Sequence, residues 1–359
     1  MPAVKKVASI LALTIFAIWG KSHTLQSRVL PDSVREKQFL AGIELSVREQ
    51  FGESDSLFKA LVKSDPGDPW GHFFWAVGIA ARMMDAEQDS FSPAFSIQLS
   101  IAQQLTEKEL KKLKKGKKEK ERPDLFLLMG NIWGYKALDG YRKGHWYGGL
   151  SAGLKAKGNF EKALQFDSTF YDAYNGLGNY YFWKSARTRK FPISAFISDE
   201  RQKGIEQLVV AKEKGFFSRQ AAAGSLLWAL IGQKEFKPAQ ALADSLAVQY
   251  PQAKSFLWAK GSIYQEQKRW DSSVVVYSKL LSQLEADPFQ SGFNMVECRW
   301  RLANAYYNSH RYQEALLECK SAKNYSLSDK SKKRLKTRLK KLAEISKKSK
   351  KALAQVEPR

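Results

Sequence analysis

The sequence predicts an all-α fold, a solenoid made by repeating one helical hairpin about seven times and closing with a basic C-terminal helix. Three observations predict it. A column of mostly small residues with large flanks runs down the chain at Gly42, Gly78, Gly130, Gly178, Leu227, Gly261 and Ala303, separated by 36, 52, 48, 49, 34 and 42 residues. The chain is 44% hydrophobic and 13% aromatic, enough to bury a long core. Few segments alternate with period two, and β-branched residues are sparse outside 274–276, so strands are not expected.

The stretch 174–181, YNGLGNYY, shows what the column does. Tyr174, Leu177 and Tyr181 recur at helical spacing around Gly178, whose missing side chain lets a second helix approach while the flanks fill the remaining gap. The intervals of 34 and 36 residues give the unit, and the longer ones are that unit plus an insertion. On these residues the chain resembles the tetratricopeptide repeat (TPR) family, a 34-residue helix-turn-helix with the pattern W-x2-L-G-x2-Y, A-x3-F and P. One unit carries Gly261, Tyr264, Trp270, Ser273, Tyr277 and Leu280 at the family's offsets; the next carries Leu302, Ala303, Tyr306, Tyr312, Ala315, Cys319 and Ala322. The unit before them supplies Leu226, Phe236, Ala239, Leu246 and Pro251, and near the front Gly42 leads to Ser54, Phe58, Leu61 and Pro66. Leu227 in the glycine column, and Ser54, Ser273 and Gly204 in place of alanine, depart from the pattern.

In chain order, residues 1–22 read as a signal peptide or an N-terminal anchor. Lys5 and Lys6 precede an uncharged run at 7–20, whose fourteen helical residues would span about 21 Å, short of the roughly 30 Å hydrocarbon core. That favours an exported, periplasmic or membrane-associated protein over a cytoplasmic one. A first solenoid helix fits less well, because 7–18 shows no polar face. The solenoid is expected over 30–326, with Asp65-Pro66-Gly67-Asp68-Pro69 closing the first unit and the apolar stretch 70–84 as an internal helix. Insertions are expected at 92–122, 136–150 and 184–199; the first holds a partner helix at 95–105 and a solvated lysine-rich end at 111–120. The other two are expected as neighbouring loops on one edge. In 327–359, Leu335, Leu339 and Leu342 make an apolar stripe in a basic helix suited to cap the array.

The formal charge of +23 is concentrated. The windows 107–122 and 330–351 supply 16 of those charges, so the repeats themselves are mildly basic. Candidate basic contacts for an anionic surface or polyanion are Lys184, Arg187, Arg189 and Lys190 in the third insertion, with Lys333, Arg334, Arg338 and Lys341 in the terminal helix. The cysteines, Cys298 and Cys319, face the hairpin core by register and read as free buried thiols, with a disulfide as the other possibility. No phosphate loop, H-E-x-x-H, G-x-S-x-G or C-x-x-C motif is present, and the four histidines, His23, His72, His145 and His310, are scattered, so neither an enzyme nor a cofactor is expected. A distant enzymatic reading would rest on His145 and Asp139.

The resemblance implies a concave groove lined by first helices. Positions three before the column give Phe39, Trp75, Leu127, Asn175, Gly224, Trp258 and Trp300; positions one after give Ile43, Ile79, Asn131, Asn179, Trp228, Ser262 and Asn304. Trp75, Asn131, Asn175, Asn179, Trp228, Trp258, Trp300 and Asn304 are therefore the candidate contacts for a protein or peptide partner, since amides pair with extended backbone and indoles bury side chains at low entropic cost. The same amides also fit a merely wetted helix face, and the indoles fit packing aromatics. The lysine columns of carboxylate-clamping family members are missing.

Overall fold

The computed structural model describes residues 33–188 and 198–356, whose regular structure is all helical. The expectations for residues 1–22 and for Arg189 and Lys190 lie outside the described residues. Seven hairpins follow one another: α1 (Ser33–Val47) with α2 (Phe51–Ser64), α3 (Pro69–Ala86) with α4 (Ser92–Lys115), α5 (Pro123–Arg142) with α6 (Trp146–Phe166), and α7 (Ala173–Thr188) with α8 (Arg201–Lys214). They continue with α9 (Arg219–Gln233) and α10 (Phe236–Gln249), α11 (Lys254–Glu266) and α12 (Trp270–Ala286), and α13 (Gly292–Asn308) and α14 (Tyr312–Ser321). A last helix, α15 (Asp329–Val356), packs on α13 and α14. Each second helix touches the first helix that follows it, and the first helices touch along the array from α1 to α3, α5, α7, α9 and α11. That nearest-neighbour pattern is a solenoid.

The column residues sit where helices cross. A side chain at Gly130 would begin 2.6 Å from the Phe160 ring, and one at Gly261 2.5 Å from that of Tyr277. Phe58 fills the space over Gly42 and would also lie 3.3 Å from a side chain begun at Gly78 of the following hairpin. At Gly178 the contact is backbone itself, the Gly204 carbonyl, together with Leu208. Where the column carries bulk, the second helix gives it up: Leu227 shares a core cluster with Ala239 and Ala243, and Ala303 shares one with Ala315 and Cys319. Summed volume across the crossing is what the repeat keeps.

The tight turns repeat as well. Glu49, Lys234, Lys268 and His310, each seven residues after a column residue, have φ of 62°, 63°, 57° and 61°. Each follows the same closure: at Lys268, for instance, its N–H donates to the Gln265 carbonyl and that of Arg269 to Tyr264. This left-handed helix end favours glycine. Lys234 and Lys268 are exposed, so Lys234→Gly and Lys268→Gly should each stabilise the chain by about 1 kcal/mol in urea unfolding.

At the front, Asp68 caps α3 by accepting from the N–H of Trp70 at 3.0 Å and of Gly71 at 3.2 Å, as the 65–69 turn signal requires. The expected insertions take other forms. Most of 92–122 is α4 itself, which runs on to Lys115 and turns at Lys117 (φ 56°). The expected loop at 136–150 is instead helical: its residues lengthen α5 and α6 and leave only a short turn through Gly144 (φ 81°). The sequence at 136–142 has no helix-ending proline, and pairing two helices over more turns buries surface that a loop would leave wet. The third insertion begins inside α7, where the Arg187 guanidinium lies 4.1 Å from the Tyr141 ring.

Along α15, Leu335, Leu342 and Ile345 are buried against α13 and α14 with Leu339 beside them, while the lysines face outward. Both cysteines are free and buried; Cys298 donates its S–H to the Tyr277 carbonyl and Cys319 to that of Leu342. Burial raises both thiols, that of Cys319 to about 11, so neither carries thiolate chemistry at neutral pH.

Candidate partner-binding surface

The eight expected groove residues separate into two groups. Asn175 and Asn179 lie one helical turn apart on α7, and the Asn179 amide donates to the Asn175 carbonyl at 2.9 Å, to its side-chain oxygen at 3.1 Å, and to Ser225 of α9 at 3.0 Å. One turn beyond Ser225, Trp228 is 39% exposed. Asn131 is half-buried on α5, in the column equivalent to Asn179 and Trp228. The wall of hairpins three to five therefore presents polar and aromatic side chains on three adjacent first helices. The donors of Asn179 are spent on tying α7 to α9, so its role there is to hold the wall.

The others are taken up by the fold. Trp75 donates its indole N–H to Asp55 at 2.7 Å, under the Lys59 ammonium. Trp258 packs edge-on against Tyr277, and the Asn308 amide donates to the Asn304 main-chain carbonyl at 2.7 Å and to its side-chain oxygen at 3.4 Å. Trp300, expected on an open groove, is only 7% exposed, with Arg338 and Lys341 of α15 over its ring. The cap covers it because the stripe at 335–345 needs an apolar seat on α13 and α14, and Trp300 is part of that seat. The expected basic patch is partly consumed by ion pairs within the fold. Arg334 pairs with Glu87 at 2.7 Å, Arg338 with Glu297 at 3.1 Å and Lys184 with Glu200, while Lys333 and Lys341 are exposed.

A second reason the groove is not open throughout is that the solenoid returns on itself. Phe217, in the turn before α9, packs on Trp70 and Phe74 of α3, with ring centroids 5.9 and 4.9 Å apart. The Ser291 N–H donates to the Ala86 carbonyl at 3.2 Å, and the Tyr250 hydroxyl to Glu44 at 3.1 Å. Lys254, at the start of α11, lies 2.8 Å from Glu49, 3.3 Å from Asp85 and 3.2 Å from Asp287. Burial works against its ammonium, but Glu49, Asp85 and Asp287 together hold it above its ordinary pKa. Burial first, and the Asp85 charge next, push the Glu49 carboxyl up to about 7 against the pull of Lys254. Asp85 is likewise raised by burial, while for Asp287 hydrogen bonds from Gln290 and Phe289 and the Lys254 charge outweigh burial and lower it. The first two hairpins are thus locked to the start of hairpin six by one buried lysine among three carboxylates, with the Phe217, Tyr250 and Ser291 contacts beside it.

Sequence reading missed this seam. The Ser255 N–H and the Glu49 carboxylate it reaches are 206 residues apart, and no local period links them. Another missed group is Asp172, buried in the turn before α7, which accepts from the N–H groups of Phe216, Phe217 and Ser218 at the entry to α9. An isolated aspartate in a turn gives no sign of such a reach.

No set of three metal-ligating side chains is present among the described residues, and no helix there is long and apolar enough to cross a membrane. His72 is buried, bridging Gln98 at 2.6 Å and the Pro66 carbonyl at 3.1 Å; His310 occupies a turn against Tyr312, and His145 precedes α6. Asp139 pairs with Lys143 at 2.7 Å.

No protein-family model matches the chain, and no curated protein matches it. Among solved structures, the type IV pilus biogenesis factor PilW aligns with 85% of this chain and 99% of its own, at 12% identity and a TM-score of 0.43. The human IFIT1 dimer with PPP-AAAA aligns with 85% of this chain and 69% of its own, at 16% identity and a TM-score of 0.46. The C-terminal part of a TPR repeat-containing protein from Cytophaga hutchinsonii aligns with 83% and 99%, at 14% identity and a TM-score of 0.37. Likeness at this level carries nothing about what this chain binds; its own crossings and turns make the described chain an all-α solenoid of seven tetratricopeptide-like hairpins capped by a basic helix.

Proposed function

We propose that the protein is a non-enzymatic scaffold that holds an extended protein or peptide partner against the inner wall of its middle hairpins. The observation that carries this reading is Trp228, a large indole left 39% exposed on a first helix beside the Asn175–Asn179–Ser225 bridge. A rigid aromatic next to polar side chains on adjacent helices can bury a partner's apolar group while its backbone finds hydrogen bonds. Trp75, Trp258, Trp300 and Asn304 are engaged within the fold, so this reading puts the partner on α5, α7 and α9. The apolar run at 7–20 supports an exported or membrane-associated setting in a cell envelope.

A second reading, binding of a polyanion or anionic surface, is supported by Lys333, Lys336, Lys340, Lys347, Lys348, Lys350 and Lys351, all exposed on α15. Affinity capture separates the two. Trp228→Ala/Asn131→Ala should lower the yield of captured partners at least tenfold at an unchanged melting temperature, with little sensitivity to salt. Lys336→Gln/Lys340→Gln/Lys347→Gln/Lys348→Gln should leave capture intact. Loss of capture only in the lysine variant and at high salt would replace the first reading by the second.

A further inference from the structure

Helix α6 opens with a face that the rest of the described chain leaves bare. Trp146 is 59% exposed, Tyr147 91%, Leu150 47% and Leu154 52%. Trp146, Leu150 and Leu154 recur every four residues and so form one stripe, with Tyr147 flanking it. The helix is well seated on its other side, where Gly149, Ala152, Ala156 and Phe160 are buried and the Tyr141 ring lies across Gly149. The bare stripe is therefore presented by a fixed helix.

Its surroundings are cationic. Cations outnumber carboxylates around it: Arg142, Lys143 and Lys157 pair with Asp89, Asp139 and Glu161, and Lys155, over the Trp133 ring, adds a further charge. The Arg187 guanidinium lies 5.9 Å from the Trp146 ring. Asp89 accepts from Arg142 and from Lys330 together, which brings the basic start of α15, with Lys332 and Lys333, to the same edge of the solenoid.

We propose that this edge docks on an anionic lipid bilayer, with Trp146 and Tyr147 at headgroup level and Leu150 and Leu154 against the acyl boundary. Indole and phenol rings are favoured at that depth, leucines below it, and a rim of cations gains from anionic headgroups. A second copy of the chain fits worse, because a two-fold axis through the stripe would set the cations against themselves. The edge is separate from the inner wall at Trp228, so the scaffold reading stands or falls independently.

The test uses the full chain and vesicles of phosphatidylcholine, with and without about one-third phosphatidylglycerol. A polarity-sensitive fluorophore is attached at Tyr147→Cys and, as a control, at Val275→Cys, an exposed site on α12; the two native thiols are buried. The Tyr147 label should brighten and shift to shorter wavelength on anionic vesicles, with the Val275 label unchanged. In sedimentation, Trp146→Ala/Tyr147→Ser/Leu150→Ser should bind anionic vesicles at least tenfold more weakly with an unaltered melting temperature. A silent Tyr147 label would overturn the proposal, whatever residues 1–32 do at the membrane. So would a triple variant that loses only self-association while the label stays silent, the mark of a dimer face.

Discussion

Replacing Lys254 by methionine is expected to cost on the order of 3–5 kcal/mol at pH 8, the largest loss from any single substitution considered. The Lys254 side chain is 9% exposed and its ammonium lies within 3.3 Å of Glu49, Asp85 and Asp287, of which the first two are 10% and 12% exposed. Methionine fills much of its volume, so what is lost is the compensation of three crowded carboxylates. The pH dependence carries the signature. Burial and Asp85 raise Glu49 from 4.5 to about 7, and Asp85 is raised too, so between those values the folded protein binds more protons than the unfolded chain. The contribution of these two groups to stability therefore grows as pH falls through 7 towards 4.5; Asp287, lowered, works the other way only at more acid pH. In Lys254→Met the pull that opposes the rise is gone, so its deficit should shrink markedly between pH 8 and pH 5, and Glu49→Gln should recover part of it at pH 8. Urea midpoints measure the total. Hydrogen exchange at the Ser255 and Ser291 amides, which bond across the seam, shows whether the loss appears as opening of the seam or as global unfolding. A variant within about 1 kcal/mol of the parent at pH 8 would show that this lysine does not lock the array.

Gly204→Val should destabilise by about 3 kcal/mol, at the upper end of what overpacking costs. A Cβ there would lie 2.7 Å from the Gly178 carbonyl oxygen, 2.8 Å from the Phe182 nitrogen and 2.9 Å from the Phe182 Cβ. These atoms belong to a helix backbone and its first side-chain carbon, which cannot swing aside as a ring edge can, so α7 and α8 must part. Gly224→Ala is the control: nothing lies within 4 Å of a Cβ built there, in the middle of α9, so it should stabilise by about 0.5–1 kcal/mol. Equal effects in the two variants, read from urea midpoints, would remove the basis for treating the glycine column as a set of helix crossings.

The hairpins could be read from local pattern because each crossing is a local bargain between Gly42 and Phe58, Gly130 and Phe160, or Gly261 and Tyr277. That Leu227 departs from the column was legible, but that it shares its core cluster with Ala239 and Ala243 came from the structure. The length of α5 and α6 was not legible, because added residues without a helix breaker can extend two helices or form a loop, and the choice depends on what they pack against. Among the groove residues, register placed Asn179 and Trp228 in equivalent columns but could not tell that the Asn179 amide is spent on Ser225 or that Trp300 lies under the cap.

By itself, then, the sequence determined the repeated unit, its crossings and its basic cap, since residues 16 apart or fewer in most units carry that information as shape. Tertiary structure alone decided which stretch of the inner wall stays free and which face of α6 stays bare. Those outcomes depend on the superhelix returning so that Glu49 and Asp85 meet Lys254, an encounter set by the accumulated rotation of several hairpins, which no local period encodes.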